Sequence, residues 1–513
     1  MRLIEHFDKA ADRWPERAFL VDAQVTRSYR DVQAQSHRIA AALRRDGVVR
    51  GTRVAIYSAN SALAFECVIG ALRAGAVWVP VSTRNHIDDT VHTLSQTATE
   101  LLFTSPELVE QAETLARRCP ALRHTVVLDD SFERWLADAA ASGAVFDEDE
   151  PGAPDELATL FSSGGTTGRP KGVMMSHAGW ETMIAGTLAL QPHPHPIHLV
   201  AAPMTHAAGG SALAMLPLGA THVLLPGFDA LQVMQAIEQH RVTHLFLPPT
   251  AIYKLLAHPQ LREHDYCSLK YFNYASAPMA PERVREACEV FGPVMYNAFG
   301  QTETGLNVTA FTPADHAEVI ASGDLTRLAS CGRAGPFFRV AIMDGEGRLL
   351  PPGERGEVVV RGASVMLGYL NNPDETARVS SHGWHHTGDV GQLDAQGWLY
   401  LVDRMRDLIV SGGFNVFPSE VERVLLCHPS VADCVVIGVP DALWGEAVKA
   451  VVELRPGQAF DEPGLRALCR ERLASHQVPK SFEAWELLPR SAAGKLLKRT
   501  VRERFWGGQA RRV

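Results

Sequence analysis

The chain has 513 residues, a formal net charge of −9, 46% hydrophobic and 21% charged residues. That length and composition describe a globular chain of two or more domains and exclude a general basic surface for nucleic acid, so an anion site has to be local. Its eight cysteines never fall in a CxxC spacing, a chain this large is not expected to rest on a disulfide framework, and they read as buried, reduced thiols.

The first residues, MRLIEHFDKAADRWPERAFL, are charged throughout and lack the apolar core of a signal peptide. No run reaches the about 18 consecutive apolar residues of a membrane span, and the final RRV is not a peroxisomal address. A cytoplasmic protein without a transmembrane segment is expected. Residues 28–46 read as an amphipathic helix stopped at Gly47. A strand follows at 53–60, a helix at 61–75 and a strand at 76–81. The alternation recurs as strand 221–226, helix 229–240, strand 242–249, strand 269–276, helix 281–291 and strand 294–300. Apolar strands alternating with helices predict parallel sheets covered on both faces. QPHPHPIHLV (191–200) reads as a rigid surface loop rather than a metal site.

From 331 to 361 the character changes to short strands joined by Gly and Pro turns, a small β subdomain. After about 403 come a charged segment, a helix beginning after Pro418 with Ser419 as its cap, and the strands VADCVVIGVPD and AVKAVVEL. The expected fold is α/β. A large N-terminal domain (1–403) carries layered parallel-rich sheets with helices plus the small β subdomain. A small mobile α+β C-terminal domain (404–513) follows a hinge at 404–406.

SSGGTTGRPKGVMMSH (162–177) concentrates glycine, threonine and a Pro-Lys-Gly turn between an apolar strand at 157–161 and a helix from about Ser176. A flexible backbone lets successive N–H groups point at one anion, with hydroxyls and Lys171 adding donors. It is not a Walker A loop, which ends in GK[ST]. By composition alone a phosphate cradle and a mobile surface loop remain equal alternatives.

The stretch resembles the phosphate loop of the acyl-adenylate-forming enzymes: acyl-CoA synthetases, firefly luciferase and peptide-synthetase adenylation domains. That resemblance implies nucleotide contacts from Ser163, Gly164, Gly165, Thr166, Thr167, Gly168 and Lys171. Gly164 stands where the family usually has Ser. PMTHAAGG (203–210) is similar to the acyl-site motif, which makes His206 the gate and Ala207, Ala208, Gly209 and Gly210 the small residues leaving room for a bulky acid. YASAPMAPE (274–282) looks like the adenine turn, with Ala275, Ser276 and Ala277 presenting backbone. YNAFGQTE (296–303) resembles the motif in which Asn297 and Phe299 hold adenine, Thr302 binds the α-phosphate and Glu303 holds Mg2+.

GWHHTGDVG (383–391) is similar to the ribose motif, with Asp389 as acceptor; His385 and His386 read as surface positions. DRMRDLIVSGGFNVFPSEVE (403–422) resembles the hinge segment: Arg404 would donate to the ribose, Arg406 would turn the hinge, and Gly412 and Gly413 would let CoA pass. LPRSAAGKLLKR (488–499) resembles the C-terminal motif, with Lys495 as the reaction lysine.

Together these motifs imply an ATP-dependent, Mg2+-requiring acid–CoA ligase of fatty-acid type metabolism, with ATP and CoA as co-substrates and a hydrophobic carboxylic acid (fatty, cyclic or aryl) as partner. Rival readings are an adenylation enzyme loading a separate carrier protein, since only a short tail follows Lys495, a luciferase-like oxidoreductase, and a nucleotide-binding protein without ligase chemistry. The acid itself is not fixed by the motifs, and whether the chain forms a homodimer stays open.

Overall fold

The computed structural model describes residues 1–142, 153, 155–163, 170–490 and 496–507. Gly164, Gly165, Thr166, Thr167, Gly168 and Lys495 lie outside the described residues. The described chain divides into two compact units. One takes in the residues up to 340 together with 360–385, the other 341–359 and the residues from 386 on. No helix among the described residues is long and apolar enough to cross a membrane.

In the first unit the helix Tyr29–Arg45 starts where expected because Ser28 accepts a hydrogen bond from the Asp31 N–H and Asp31 reaches back to Ser28. Such a capping box contributes about 1 kcal/mol. The following helix, Ala62–Arg73, is apolar almost all round and buried, as a core helix has to be. It lies tight against the first: a Cβ on Gly70 would sit 2.4 Å from Ile39 Cγ2.

Strands alternate with these helices to build two large sheets among the described residues. The seven-stranded sheet has the order Gly368–Tyr369, Gly172–Ser176, Leu157–Ser162, Val77–Pro80, Arg53–Tyr57, Leu101–Thr104, His124–Val127. Its centre is parallel, while Leu157–Ser162 and Gly172–Ser176 form an antiparallel hairpin and Gly368–Tyr369 adds to its edge. The nine-stranded sheet has the order Arg333–Ala334, Gly305–Phe311, Met295–Gln301, Tyr271–Tyr274, His244–Leu247, Ile197–Val200, Thr221–Leu224, Ala18–Val21, Thr26–Ser28. The strands from Met295–Gln301 through Thr221–Leu224 run parallel. One apolar core joins residues of both sheets, such as Trp78, Val200 and Phe246, with helix residues such as Phe65 and Trp180.

Several local expectations change. The segment 191–200 is a loop only in its first part; Ile197–Val200 is a strand, and His198 is buried beside His222 and His244 of the neighbouring strands. Cys67, Cys119, Cys434 and Cys469 are buried as expected, but Cys267 and Cys427 are exposed; all eight are free thiols.

A four-stranded sheet runs in the order Phe338–Met343, Gly356–Gly362, His385–Leu393, Leu399–Arg404. The rest of the second unit is α+β. The strands Val431–Asp441 and Gly445–Leu454 form a long antiparallel pair; Ile409–Ser411, Phe414–Val416 and Ser481–Trp485 complete that sheet. The helix Pro418–Leu425 starts at Pro418 itself rather than after it, with Phe417 at the N-cap position, and Ser419 is not its cap. The Ser419 hydroxyl donates to the Val402 carbonyl, while the Asp403 carboxylate accepts the Ser419 N–H at 2.8 Å. The chain is thus α/β with a large layered first part and a small α+β second part.

Candidate active site

Parallel strands of the nine-stranded sheet end together, and ligands of open α/β sheets bind beyond the carboxyl ends of the strands. Ile197–Val200 leads to 203–210, Tyr271–Tyr274 to 275–277, and Met295–Gln301 to 302–303, which places three of the motifs at one edge. The second residue after the strand Tyr271–Tyr274 is unusual. Ser276 has φ 75° and is exposed, a left-handed conformation rare outside glycine and concentrated at functional sites. Ala275 is half-buried and Ala277 exposed, so the segment shows backbone rather than bulk. Asn297 and Phe299 lie on the adjacent strand, both about nine-tenths buried.

Thr302 and Glu303 occupy a tight turn between Met295–Gln301 and Gly305–Phe311. The Gln301 N–H donates to Thr304 Oγ1 at 3.0 Å, and the Thr304 N–H to the Gln301 carbonyl at 3.1 Å. Gly305 (φ 81°) reverses the chain, and a Cβ on Gly300 would collide with the Gly305 carbonyl at 2.3 Å. The turn is therefore fixed by its own backbone, and the Glu303 carboxylate is held by the Tyr369 hydroxyl, which donates at 3.0 Å.

Ser163 and Lys171, on either side of 164–169, are tied to each other. The Ser163 N–H donates to the Lys171 carbonyl at 2.8 Å and the Lys171 N–H to Ser163 Oγ at 3.0 Å, which closes the Leu157–Ser162/Gly172–Ser176 hairpin. His92 Nε2 and the Pro170 carbonyl are 3.0 Å apart. The edge strand Gly368–Tyr369 then pairs in register with Val173 and Met174, which sets the Tyr369 ring under Lys171 Nζ at 4.7 Å from the ring centroid. After it, Asn372 caps the helix Pro373–Val379, whose Glu375 carboxylate forms an ion pair with Lys171. Arg378 grips the same carboxylate with two hydrogen bonds, 2.7 and 2.8 Å. The Arg378 bonds, joined by Lys171, hold the Glu375 carboxyl down at about 2 despite desolvation. Burial, with the Glu303 carboxylate beside it, pushes the Tyr369 phenol well above its ordinary range, so it stays a donor.

Tyr369, Glu375 and Arg378 had not been singled out from sequence. The available signal was the capped helix start Asn372-Pro373 with two acids in its first turn. Nothing local tied it to Lys171, some 200 residues earlier.

At the acyl motif His206 is exposed, with Nδ1 3.0 Å from Thr205 Oγ1, and Ala207 is half-buried at the start of the helix Ala207–Ala214. The two glycines differ. A Cβ on Gly209 would lie 1.8 Å from the Met204 carbonyl oxygen, so the space there is taken by the chain itself. A Cβ on Gly210 would meet Trp180 at 3.7 Å and Leu306 at 3.9 Å, an apolar surrounding.

In the second unit Asp389 and Arg404 face each other on paired strands and form an ion pair at 2.6 Å; Asp389 is buried. His385 is buried and His386 is tied to the Glu357 carboxylate at 2.7 Å. These two are therefore structural, not surface, positions, because the Glu357 carboxylate also accepts the Gly388 N–H and fixes the turn before Asp389. Arg406 sits in a single 3-10 turn, Met405–Asp407, and burial lowers its guanidinium from the ordinary value. Gly412 and Gly413 (φ 58° and 83°) form the two-residue turn of the Ile409–Ser411/Phe414–Val416 hairpin, the left-handed geometry such turns demand.

Lys171, Glu375, Tyr369 and Glu303 thus form one linked cluster at the antiparallel edge of the seven-stranded sheet. The family model of AMP-binding enzymes matches residues 7–370, and that of the AMP-binding enzyme C-terminal domain matches 420–495. The chain belongs to this AMP-binding, acyl-adenylate-forming family. A medium/long-chain-fatty-acid–CoA ligase of Mycobacterium tuberculosis is 38% identical over 80% of this chain and 73% of its own length. A feruloyl-CoA synthase of an Amycolatopsis species is 36% identical over 93% of this chain and 94% of its own. The solved amide bond synthetase McbA of Marinactinospora thermotolerans superposes with a TM-score of 0.87 at 31% identity, covering 98% of this chain and all of the other.

Proposed function

We propose that the chain activates a hydrophobic carboxylic acid with ATP, as an acyl-adenylate, and transfers the acyl group to CoA. It is an acid–thiol ligase of the AMP-forming acyl-CoA synthetase class, the reading that its named relatives favour over carrier loading or binding alone. The geometric observation behind the reading is the chain Lys171–Tyr369–Glu303, which links a cation and a carboxylate through one phenol.

Two anions have to meet in the first step. A carboxylate oxygen of the acid bonds to the α-phosphorus as the bond to pyrophosphate breaks, so charge neutralisation and in-line placement carry the catalysis. In this reading Lys171 and Lys495 supply positive charge and Thr302 a hydroxyl donor. Phe299 and Asn297 hold the adenine, and Asp389 with Arg404 hold the ribose. The donor at Glu303 is a hard carboxylate oxygen, which fits Mg2+ completed by phosphate oxygens and water; such an ion, when bound, screens the phosphate charge. Tyr369 orients that carboxylate. In the second step the CoA sulfur attacks the carbonyl carbon, AMP leaves, and the thiol proton passes to solvent. The hinge at 404–406, the division at 403/404, the replacement of Lys495 by the Gly412–Gly413 turn and a cytoplasmic location belong to the same proposal. The Trp180 and Leu306 side chains around Gly210 support an apolar acid.

Acid-dependent exchange of labelled pyrophosphate into ATP tests the reading. Exchange with fatty or aryl acids is the expected result; no exchange with any acid, while ATP still binds, would leave a nucleotide-binding protein.

A further inference from the structure

The phosphate-loop lysine already has an anion. Its ammonium is ion-paired to Glu375 and lies over the Tyr369 ring, and both side chains are about a fifth to a quarter exposed (26% for Lys171, 19% for Glu375). Glu375 does not depend on Lys171 alone. Arg378 binds both of its oxygens, at 2.7 Å to one and 2.8 Å to the other. A buried or half-buried carboxylate stripped of its only cation is strongly destabilised, but here one cation can leave and the other remains.

We infer that Glu375 is an exchange partner for the phosphates of ATP: it holds the Lys171 ammonium in place over Tyr369, and an incoming triphosphate takes that ammonium over while Arg378 keeps the carboxylate satisfied. The inference rests on the ligase reading, in which Lys171 meets phosphate. It makes Glu375 and Arg378 positioning residues, acting on ATP through Lys171. The local fold serves this exchange. Pairing of Gly368–Tyr369 with Met174 and Val173 fixes the ring beside the lysine. The Asn372 cap and the Tyr369 N–H donating to Thr376 Oγ1 at 2.9 Å fix the helix that carries Glu375 and Arg378. No covalent step is involved; one ion pair is replaced by another.

Competition has a sign that a merely structural role lacks. In Glu375→Gln the amide keeps the shape and loses the charge, so MgATP no longer competes with a carboxylate for Lys171. In Arg378→Gln the carboxylate keeps Lys171 as its remaining cation and holds it harder. Isothermal titration of MgATP into the full-length wild type, both single variants and the double variant reads the effect directly. Glu375→Gln should bind about fivefold more tightly, the scale of one partly exposed ion pair, and Arg378→Gln more weakly by a similar factor. The loss on changing Arg378 should vanish in the Glu375→Gln background, because Arg378 acts through that carboxylate. Weaker or unchanged binding in Glu375→Gln, or an Arg378→Gln loss that persists in the double variant, overturns the inference. Should Glu375→Gln fail to fold, Arg378→Gln alone decides: binding equal to or tighter than wild type refutes it. A wild type that binds no MgATP overturns the functional reading itself, a distinct outcome.

Discussion

Acidification should weaken the centre of the nine-stranded sheet, and His222 is where the effect is simplest to trace. His198, His222 and His244 sit side by side on neighbouring strands. His222 is fully buried between Phe19 and Phe65, with its Nδ1 3.1 Å from that of His198 and its Nε2 without a partner. Burial pushes the His222 and His244 imidazoles down to about 3. The folded values lie below the unfolded value of about 6.5, so the unfolded chain binds more protons and stability rises with pH. The contribution is complete above about pH 6.5 and is lost as pH falls from there towards 3. Between pH 7 and pH 5 each such histidine removes about 2 kcal/mol of stability. His222→Leu, which cannot take up a proton, should cut the pH 7 to pH 5 loss by that amount, whatever it does to stability at pH 7. Urea titrations followed by tryptophan fluorescence at both pH values measure this. An unchanged pH 7 to pH 5 difference in the variant would refute the reasoning.

Three further outcomes are expected. Gly70→Ala places a methyl 2.4 Å from Ile39 Cγ2, and such overpacking should cost about 1–3 kcal/mol in a urea titration at pH 7. Tyr369→Phe removes the hydroxyl donor from Glu303; loss of a hydrogen bond to a charged group predicts about a tenfold or larger fall in kcat/KM for ATP, relieved in part by raised Mg2+. Lys495→Ala should abolish adenylate formation while thioester formation from a supplied acyl-adenylate survives, and equal loss of both steps would remove Lys495 from its assigned role.

The alternation of apolar strands with capped helices made the layered α/β fold legible, because each signal is local. Ser28 with Asp31 marks one helix start, and the helix 281–291 and the strand 431–441 have the bounds their patterns suggested. What escaped depends on distant partners. His385 reads as a surface position in the sequence, yet it is buried at the start of the strand His385–Leu393. Ser419 resembled a cap, but the Val402 carbonyl takes its hydroxyl. His198 lay in a Pro-rich stretch whose last residues pair into the sheet. The motif segments 275–277 and 297–303 stand out in the sequence because each follows or ends an apolar strand. The hold of Glu375 on Lys171, and of Arg378 on Glu375, does not, since it arises from a two-residue edge strand pairing with the hairpin. Gly209 shows a subtler limit: its smallness suggested room for substrate, whereas the Met204 carbonyl needs that space.

The most direct test of the ligase assignment is the stoichiometry of AMP, pyrophosphate and thioester across a panel of carboxylic acids with ATP and Mg2+, with and without CoA. An acid–CoA ligase gives, with fatty, cyclic or aryl acids, one AMP and one acyl-CoA per turnover when CoA is present, and adenylate with pyrophosphate when it is not. AMP and pyrophosphate release with no thioester under any acid would contradict CoA as the acceptor.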